Sequence, residues 1–446
     1  MKKLSVILTV VLCFALLPFN IKADAAQNIY LKSETAVLMD ADTGAVLFSK
    51  NMNRQMYPAS ITKVMTGMLA LEMADTNELM TASHNAVYSL PYNTSHIALA
   101  EGEQLTLEDA MYALGIESAN DAANVIAEHI GTSVENFAQL MTQKARSLGA
   151  VNTNFTNPHG LPDDNQYTTA YDMALITAAA IKTEGFNKYF STNRYDMPQT
   201  NVRDVVRQFW NANYYINGYE ECAGLVMSKT GWTEEAKHTL VTAAQRDGRT
   251  LIAVVMSSTH KGDKYDDTTA LLDYGFENFF NTQLDADFVK DKTPLALTFT
   301  DGTACNIERS NVLADGCLVT LPKDKTTADI TFKAGAAQLN EAKDFATVDL
   351  EARYADDGSS YYCGSTSVSM LFVKKEEKGF DFAGLLQKIV LIVLSVILWI
   401  IIALLVFIAL KQLVIIENRR RNRQKKQAQL RAKRQKELQE KTVYRK

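Results

Sequence analysis

The 446-residue chain is poor in the residues that build metal and cofactor sites. It has five cysteines and six histidines, with no C-x-x-C pair and no histidine spacing suited to a metal. Zinc, nucleotide and haem patterns are missing, and so is any internal repeat, so no cofactor is expected. The basic run 419–434 has no aromatic residue, which argues against nucleic-acid binding. Charge is absent altogether from Ile389 to Leu410, where Ser395 is the one polar side chain. Twenty-two such residues at about 1.5 Å each cross a hydrocarbon layer of roughly 30 Å. A soluble core helix is rarely apolar on every face for so long.

What is present at the two ends fixes a topology. Lys2 and Lys3 precede the apolar stretch Leu4 to Leu17, and Ala23-Asp24-Ala25 is a small-residue cleavage site. Residues 1–25 therefore read as a secretory leader, with the mature start near Ala26. Residues 411–446 hold 14 Lys+Arg and 3 Asp+Glu, a net of +11, against −16 for the rest of the chain (32 basic, 48 acidic). The cluster Arg419-Arg420-Arg421-Asn422-Arg423 just past the span predicts a cytoplasmic tail with affinity for anionic lipid. The body is then outside the cell, in a single-pass membrane protein. Cys13 leaves with the leader. Cys222 reads as structural. The later cysteines are open to two readings: a disulfide of Cys305 with Cys317 or Cys363, or buried free thiols.

The chemistry is carried by three short motifs. Ser60 and Lys63 lie one helical turn apart in Pro58-Ala59-Ser60-Ile61-Thr62-Lys63. A hydroxyl needs a base within hydrogen-bond reach to act as a nucleophile, and residues i and i+3 share a helix face. Pro58 suits the start of a helix, where backbone N–H groups also point outward toward a developing oxyanion. The spacing alone is weak: Ser258-Thr259-His260-Lys261 repeats it, at the end of an apolar run that reads as a strand. It gains force from Ser118-Ala119-Asn120 and then Lys229-Thr230-Gly231. A second S-x-N, Ser191-Thr192-Asn193, lies in a polar stretch. S-x-x-K, S-x-N and K-T-G in that order mark penicillin-recognising serine acyl enzymes.

The segments Ala36 to Gly44, Pro58 to Thr66, Asn157-Pro158-His159-Gly160-Leu161-Pro162-Asp163 and Tyr167 to Ala174 narrow the match. With them the chain resembles the D-alanyl-D-alanine carboxypeptidases, the low-molecular-mass penicillin-binding proteins, from about residue 30 to about 280. The resemblance implies a serine hydrolase that removes the last D-alanine from peptidoglycan stem pentapeptides through an ester on Ser60. β-Lactams would be covalent inhibitors. The implied fold is mixed α and β, an antiparallel sheet with a helical cluster, as in penicillin-binding proteins and β-lactamases. It also implies an oxyanion hole made by the backbone N–H groups of Ser60 and Trp232.

In this scheme Lys63 is the base. An exposed lysine is almost fully charged near pH 7, so Lys63 must be made neutral by burial and by the neighbouring cation Lys229. Ser118 relays a proton between Lys63 and the leaving amine. Asn120 holds the substrate amide or orients Lys63. Lys229 and Thr230 receive the substrate carboxylate, and Gly231 allows a substrate strand close to the sheet edge. His159 reads as a loop-shaping residue, His84 and His96 as surface, Asp163 and Asp164 as a turn, Glu234 and Glu235 as a solvated rim.

The organisation follows. A hairpin over Thr35–Asp40 and Ala45–Ser49 opens the enzyme domain, 26–285. Helices are predicted over 60–73, 107–115, 121–129, 134–148, 169–182 and 266–280, and strands over 227–233, 239–244 and 250–257. Alternating runs from 293 to 373 predict a small all-β sandwich, 290–375. A linker, 376–388, the span 389–410 and the tail 411–446 complete the chain.

Two alternatives stay open. A class A β-lactamase shares the motifs, but no E-x-x-L-N lies between Asn120 and Lys229. A penicillin-sensing or wall-binding membrane protein would use Ser60 without turnover, though the tail of 36 residues leaves no room for an effector domain.

Overall fold

The computed structural model describes residues 29–300, 302–340, 345–371 and 382–443. The leader read over 1–25 lies outside the described residues. The chain divides into two units, one reaching Phe372 and one beyond it.

The first unit opens with strands β1 (Thr35–Asp40) and β2 (Val46–Lys50), an antiparallel hairpin. Helices follow. α1 (Lys63–Met73) is preceded by a 3₁₀ turn over Ala59–Thr62. α2 (Leu107–Tyr112) runs into a π-helical turn at Ala113–Glu117, and α3 is Asn120–Gly131. α4 (Val134–Ser147) and α5 (Ala170–Ala180) complete the cluster. The chain then returns to the sheet as β3 (Leu225–Thr233), β4 (Lys237–Arg246) and β5 (Arg249–Ser258). It closes on α6 (Asp263–Asn278). The sheet order is β2-β1-β5-β4-β3, antiparallel throughout, so the K-T-G strand β3 is an edge.

Two hydrophobic cores hold this sheet. On one face Val37, Met39, Val254 and Met256 meet Met65, Met68 and the other helices of the cluster. On the other, Leu38, Ala253 and Val255 meet Leu271 and Leu272 of α6. Alternation along β1 and β5 sends successive side chains into the two cores, which is why these strands are apolar without a break.

Strand β6 (Phe279–Leu284) lies within the 26–285 span drawn from sequence, yet it pairs with β8 (Cys317–Pro322). The second, larger sheet orders β7 (Val312–Ala314), β11 (Ser359–Leu371), β10 (Phe345–Asp356) and β9 (Ile330–Ala334). Val319, Leu321, Val348, Leu350 and Val368 fill the space between the two sheets. Tyr362 Oη donates to the Thr43 carbonyl at 3.1 Å, and the Thr43 and Thr320 hydroxyls meet at 2.6 Å, so the hairpin β1–β2 rests on this layer. No cysteine among the described residues is in a disulfide; Cys317 and Cys363 are buried free thiols.

The second unit is one helix, α7 (Phe382–Val443). Of the stretch read as a linker, 376–388, residues 376–381 lie outside the described residues, and 382–388 form the start of α7. Its most apolar 18 residues have a mean hydropathy of 3.5 and no buried share, which fits a membrane span by length and composition.

Candidate active site

Ser60 sits in the 3₁₀ turn and Lys63 begins α1. Residues i and i+3 eclipse in a 3₁₀ turn, which brings the two side chains together. Lys63 Nζ lies 3.1 Å from Ser60 Oγ, 2.7 Å from Asn120 Oδ1 and 2.8 Å from the His159 carbonyl. Lys63 is fully buried. Burial, then the charge of Lys229, pushes its pKa well below the usual lysine range. A neutral amine has two N–H donors and one lone pair. The two carbonyl acceptors use the N–H groups, which leaves the lone pair for the Ser60 hydroxyl.

Lys229 projects from β3 and donates to Ser118 Oγ at 2.9 Å and to the Thr230 carbonyl at 2.9 Å. Burial and the nearby Lys264 lower its pKa to about 7. Ser118 leaves the π-helical turn with a left-handed backbone, φ 56°. The wide π turn is what turns the S-x-N loop toward the cleft, a local geometry often found at functional sites. Ala59, just before Ser60, is also left-handed at φ 49°. Non-glycine residues in that region cost about 1–3 kcal/mol and are retained where surroundings hold them.

Those surroundings are visible. A Cβ on Gly160 (φ 91°) would lie 1.8 Å from the Ala59 carbonyl oxygen, so this loop packs backbone to backbone behind Ser60. Thr66 Oγ1 donates to the Pro158 carbonyl at 2.6 Å. His159 is buried, and its pKa falls to about 3 through burial and then the charge of Lys63. It is neutral at physiological pH, and its Nδ1 accepts from the Leu161 N–H. It shapes the loop by hydrogen bonding, and its carbonyl orients Lys63.

Gly231 answers to a different neighbour from the one sequence suggested. A Cβ there would lie 2.4 Å from Thr239 Oγ1 and 2.9 Å from the Ser60 backbone nitrogen. The close approach is between the K-T-G strand and the nucleophile's own amide. It sets the Trp232 backbone beside that of Ser60.

The cleft has a volume of about 390 Å³, bordered by Ser60, Ser118, Lys229, Thr230 and Trp232. Asn120 lies beneath it and reaches Lys63; no Lys63–Ser118 hydrogen bond is made. The sequence reading missed Lys264, in the first turn of α6. It borders the cleft, is 2% exposed, and has no hydrogen-bond or ion-pair partner among the described residues. Burial and Lys261 hold its pKa at about 7. Lys261 also borders the cleft, 4.3 Å from the Tyr214 ring centre. The signal was two lysines three apart after an apolar strand. The decoy serine, Ser258, points elsewhere and bonds Ser33. The other decoy, Ser191, ends a short helix and bonds the Asn187 carbonyl. Asp163 caps a turn through Asn165 N–H. No cluster able to hold a metal occurs among the described residues.

The family described as Peptidase_S11, D-alanyl-D-alanine carboxypeptidase, matches residues 22–260. The carboxypeptidase DacF of Bacillus subtilis is 34% identical over 281 residues, 61% of this chain and 70% of the relative. The solved structure of penicillin-binding protein 5 from Haemophilus influenzae is similar at a TM-score of 0.61 and 27% identity, over 78% of this chain and 98% of that one. The Streptomyces K15 DD-transpeptidase is similar at a TM-score of 0.53 and 27% identity, over 56% of this chain and all (100%) of that one.

Proposed function

The chain belongs to the D-alanyl-D-alanine carboxypeptidase family of serine peptidases, and from that membership we propose that Ser60 is the nucleophile of a membrane-held D-Ala-D-Ala carboxypeptidase. The observation that carries the reading is the fully buried Lys63 amine, 3.1 Å from Ser60 Oγ with its other contacts made to acceptors.

Lys63 takes the Ser60 proton as Oγ attacks the carbonyl of the penultimate D-alanine. The backbone N–H groups of Ser60 and Trp232 receive the oxyanion; one such donor contributes roughly 3 kcal/mol to the transition state. Lys229, bonded to Ser118, supplies a proton through that hydroxyl to the departing D-alanine nitrogen. The Lys63 ammonium then gives its proton back to Lys229 by way of solvent, and water hydrolyses the ester with the neutral Lys63 again as base, the proton passing to Ser60 Oγ as the acyl group leaves. Asn120 fixes Lys63. Lys229, Thr230 and the unpaired Lys264 form the binding site for the substrate's carboxylate, and Gly231 lets the strand close on Ser60. Penicillin enters by the same route and stays as an ester. Peptidoglycan stem peptides are thus the substrates and β-lactams the inhibitors.

The residues 26–285 carry this activity, the β domain supports it, and α7 anchors it with the basic tail in the cytoplasm. Measuring D-alanine release from a synthetic pentapeptide by the wild type and by Ser60→Ala tests the reading. Release by the wild type alone supports it. No release by the wild type, with labelled penicillin still bound, favours a sensor; rapid penicillin turnover favours a β-lactamase.

A further inference from the structure

The first two residues of α3 do different work. Asn120 reaches Lys63. Asp121 follows it, and its carboxylate is buried, with no ion-pair partner among the described residues. Its hydrogen bonds come from backbone N–H groups. The Ile97 N–H lies 3.2 Å from each carboxylate oxygen, the Leu99 N–H donates at 3.0 Å and the Ala122 N–H at 2.9 Å. A buried charge without a counter-ion is costly, and donors fixed on a backbone are what offset that cost.

These bonds fasten residues 95–99 to the turn that carries Ser118-Ala119-Asn120. The Asn120 N–H donates to the Ser95 carbonyl at 2.8 Å, and Ser95 borders the cleft. Ala98 has a left-handed backbone, φ 54°, which a non-glycine residue keeps where its surroundings impose it. The N–H groups on either side of Ala98 both go to Asp121.

The same carboxylate faces the base. Burial and Lys229 disfavour a charged Lys63, and Asp121 opposes them. Lys63 must carry a positive charge once it has taken the Ser60 proton. Its hydrogen-bond partners, Asn120 Oδ1, the His159 carbonyl and Ser60 Oγ, are uncharged. The titratable groups that face it are Lys229 from β3, His159 from the loop 157–163 and Asp121 from α3, and Asp121 is the anion of the three.

We propose that Asp121 is a positioning residue of acyl transfer: it locks residues 97–99 against the S-x-N turn, so that Ser118 and Asn120 keep their places beside Ser60, and its charge sustains the ammonium that Lys63 becomes. This rests on the reading of Lys63 as the base of Ser60.

The test is the second-order rate of acylation of the full chain by labelled benzylpenicillin, followed from neutral pH into acid, with Tm recorded for each variant. The amine must be neutral to act, so the rate is lost as pH falls through the Lys63 pKa. Asp121→Asn keeps the size and removes the charge. Its plateau rate is expected to fall about ten- to a hundredfold, the scale of hydrogen bonds to a charged group. Its acid limb is expected to move to lower pH, because the group that held the Lys63 pKa up is gone. Asp121→Glu keeps the charge and displaces the clamp, so its plateau falls while its limb stays with the wild type. Ala98→Gly in the Asp121→Asn background relieves the left-handed residue; it should restore part of the plateau and leave the limb displaced. An acid limb in Asp121→Asn at the wild-type position, with only Tm lowered, overturns the proposal and leaves Lys63 as the base. Should Asp121→Asn fail to fold, Asp121→Glu decides, and a wild-type plateau in it overturns the clamp. Acylation at full rate in Lys63→Met overturns the base reading, and this proposal with it.

Discussion

The part of the first unit up to α6 and the β layer that follows it differ most in what they bury. Residues 29–278 bury Asp40, Lys63, Glu103, Asp121, Lys229 and Lys264, among other charged groups. From 279 to 371 the buried polar side chains among the described residues are Thr293 and Thr320, and none is charged. A buried charge costs free energy unless it is paired or becomes neutral. Several in the first region are paired. Asp40 meets Arg249 at 3.0 Å, and Asp121 accepts from the Ile97 and Leu99 N–H groups. Lys63, Lys229 and Lys264 have no carboxylate partner, and their pKa values fall instead. The β layer has an ordinary apolar core, and burial there only pushes up groups that are neutral at physiological pH anyway, such as Cys317 and Cys363. Chemistry is kept where solvation has been given up without a counter-ion, and support where it has not.

The sharpest way to break this contrast is to remove Lys63. Lys63→Met keeps the volume and the apolar stem but leaves Ser60 without a base. General base catalysis is typically worth 10²–10⁴-fold, so the rate of Ser60 acylation by labelled penicillin is expected to fall by about three orders of magnitude. The fold, read by circular dichroism, should hold below a lowered Tm, because methionine suits a site that disfavours charge but leaves Asn120 Oδ1 and the His159 carbonyl without their donor. Acylation at the wild-type rate would return Lys63 to the status of a packed side chain.

The converse test is Leu350→Ala in the β layer. Leu350 is fully buried among Val319, Val348 and Val368. Such a truncation costs about 2–5 kcal/mol of stability. The expected result is a lower Tm for this layer with penicillin acylation unchanged below the transition. A matching loss of acylation rate in the folded protein would show that the two regions are one functional body.

Much of this contrast can be traced in sequence, and the reasons for the gaps are physical. The three motifs and the strands β1, β4 and β5 were legible because chemistry or a short apolar run bounded by turn residues dictates them locally. The Lys63–Asn120 bond was one of two options that spacing left open, since it joins residues 57 positions apart. The π-helical turn was read as the end of a helix over 107–115, because apolar Ala113 and Leu114 follow directly on Ala110, Met111 and Tyr112 of α2. The hairpin Arg194–Met197 with Arg207–Trp210 went unread. Its second strand and the loop before it are held by buried Glu103, which binds Arg207 and Arg203 from about a hundred residues away. Lys264 was missed for a different reason: no hydrogen-bond or ion-pair partner among the described residues marks it, and a lysine at a helix start reads as surface.

A pH profile probes the tuned lysines as a set. The folded pKa of Lys229 is about 7, so its charged form is present below that pH and is lost as pH rises through it. The substrate carboxylate needs the charged form. For free enzyme, kcat/KM is expected to fall about tenfold per pH unit above roughly 7, since one unit is 1.36 kcal/mol. Bound carboxylate favours the ammonium, so kcat should bend at a higher pH. Lys264→Met removes one cause of the depression and should move the kcat/KM limb upward. A limb that stays at the same pH in that variant would mean burial alone sets Lys229.

The smallest effect tests where the two regions touch. Tyr362 Oη donates to the Thr43 carbonyl, in the turn of the β1–β2 hairpin. β1 lies next to β5 in the sheet that ends at the K-T-G strand. Tyr362→Phe removes one hydroxyl and leaves the ring, so its cost should be about 1 kcal/mol. If the β layer only supports the enzyme, the change appears as a Tm lowered by a few degrees, with the acylation rate and its pH profile untouched. A shift in the alkaline limb of the profile would instead mean that the layer reaches through β1 and β5 to the cleft lysines, and the division between tuned and supporting regions would have to be redrawn.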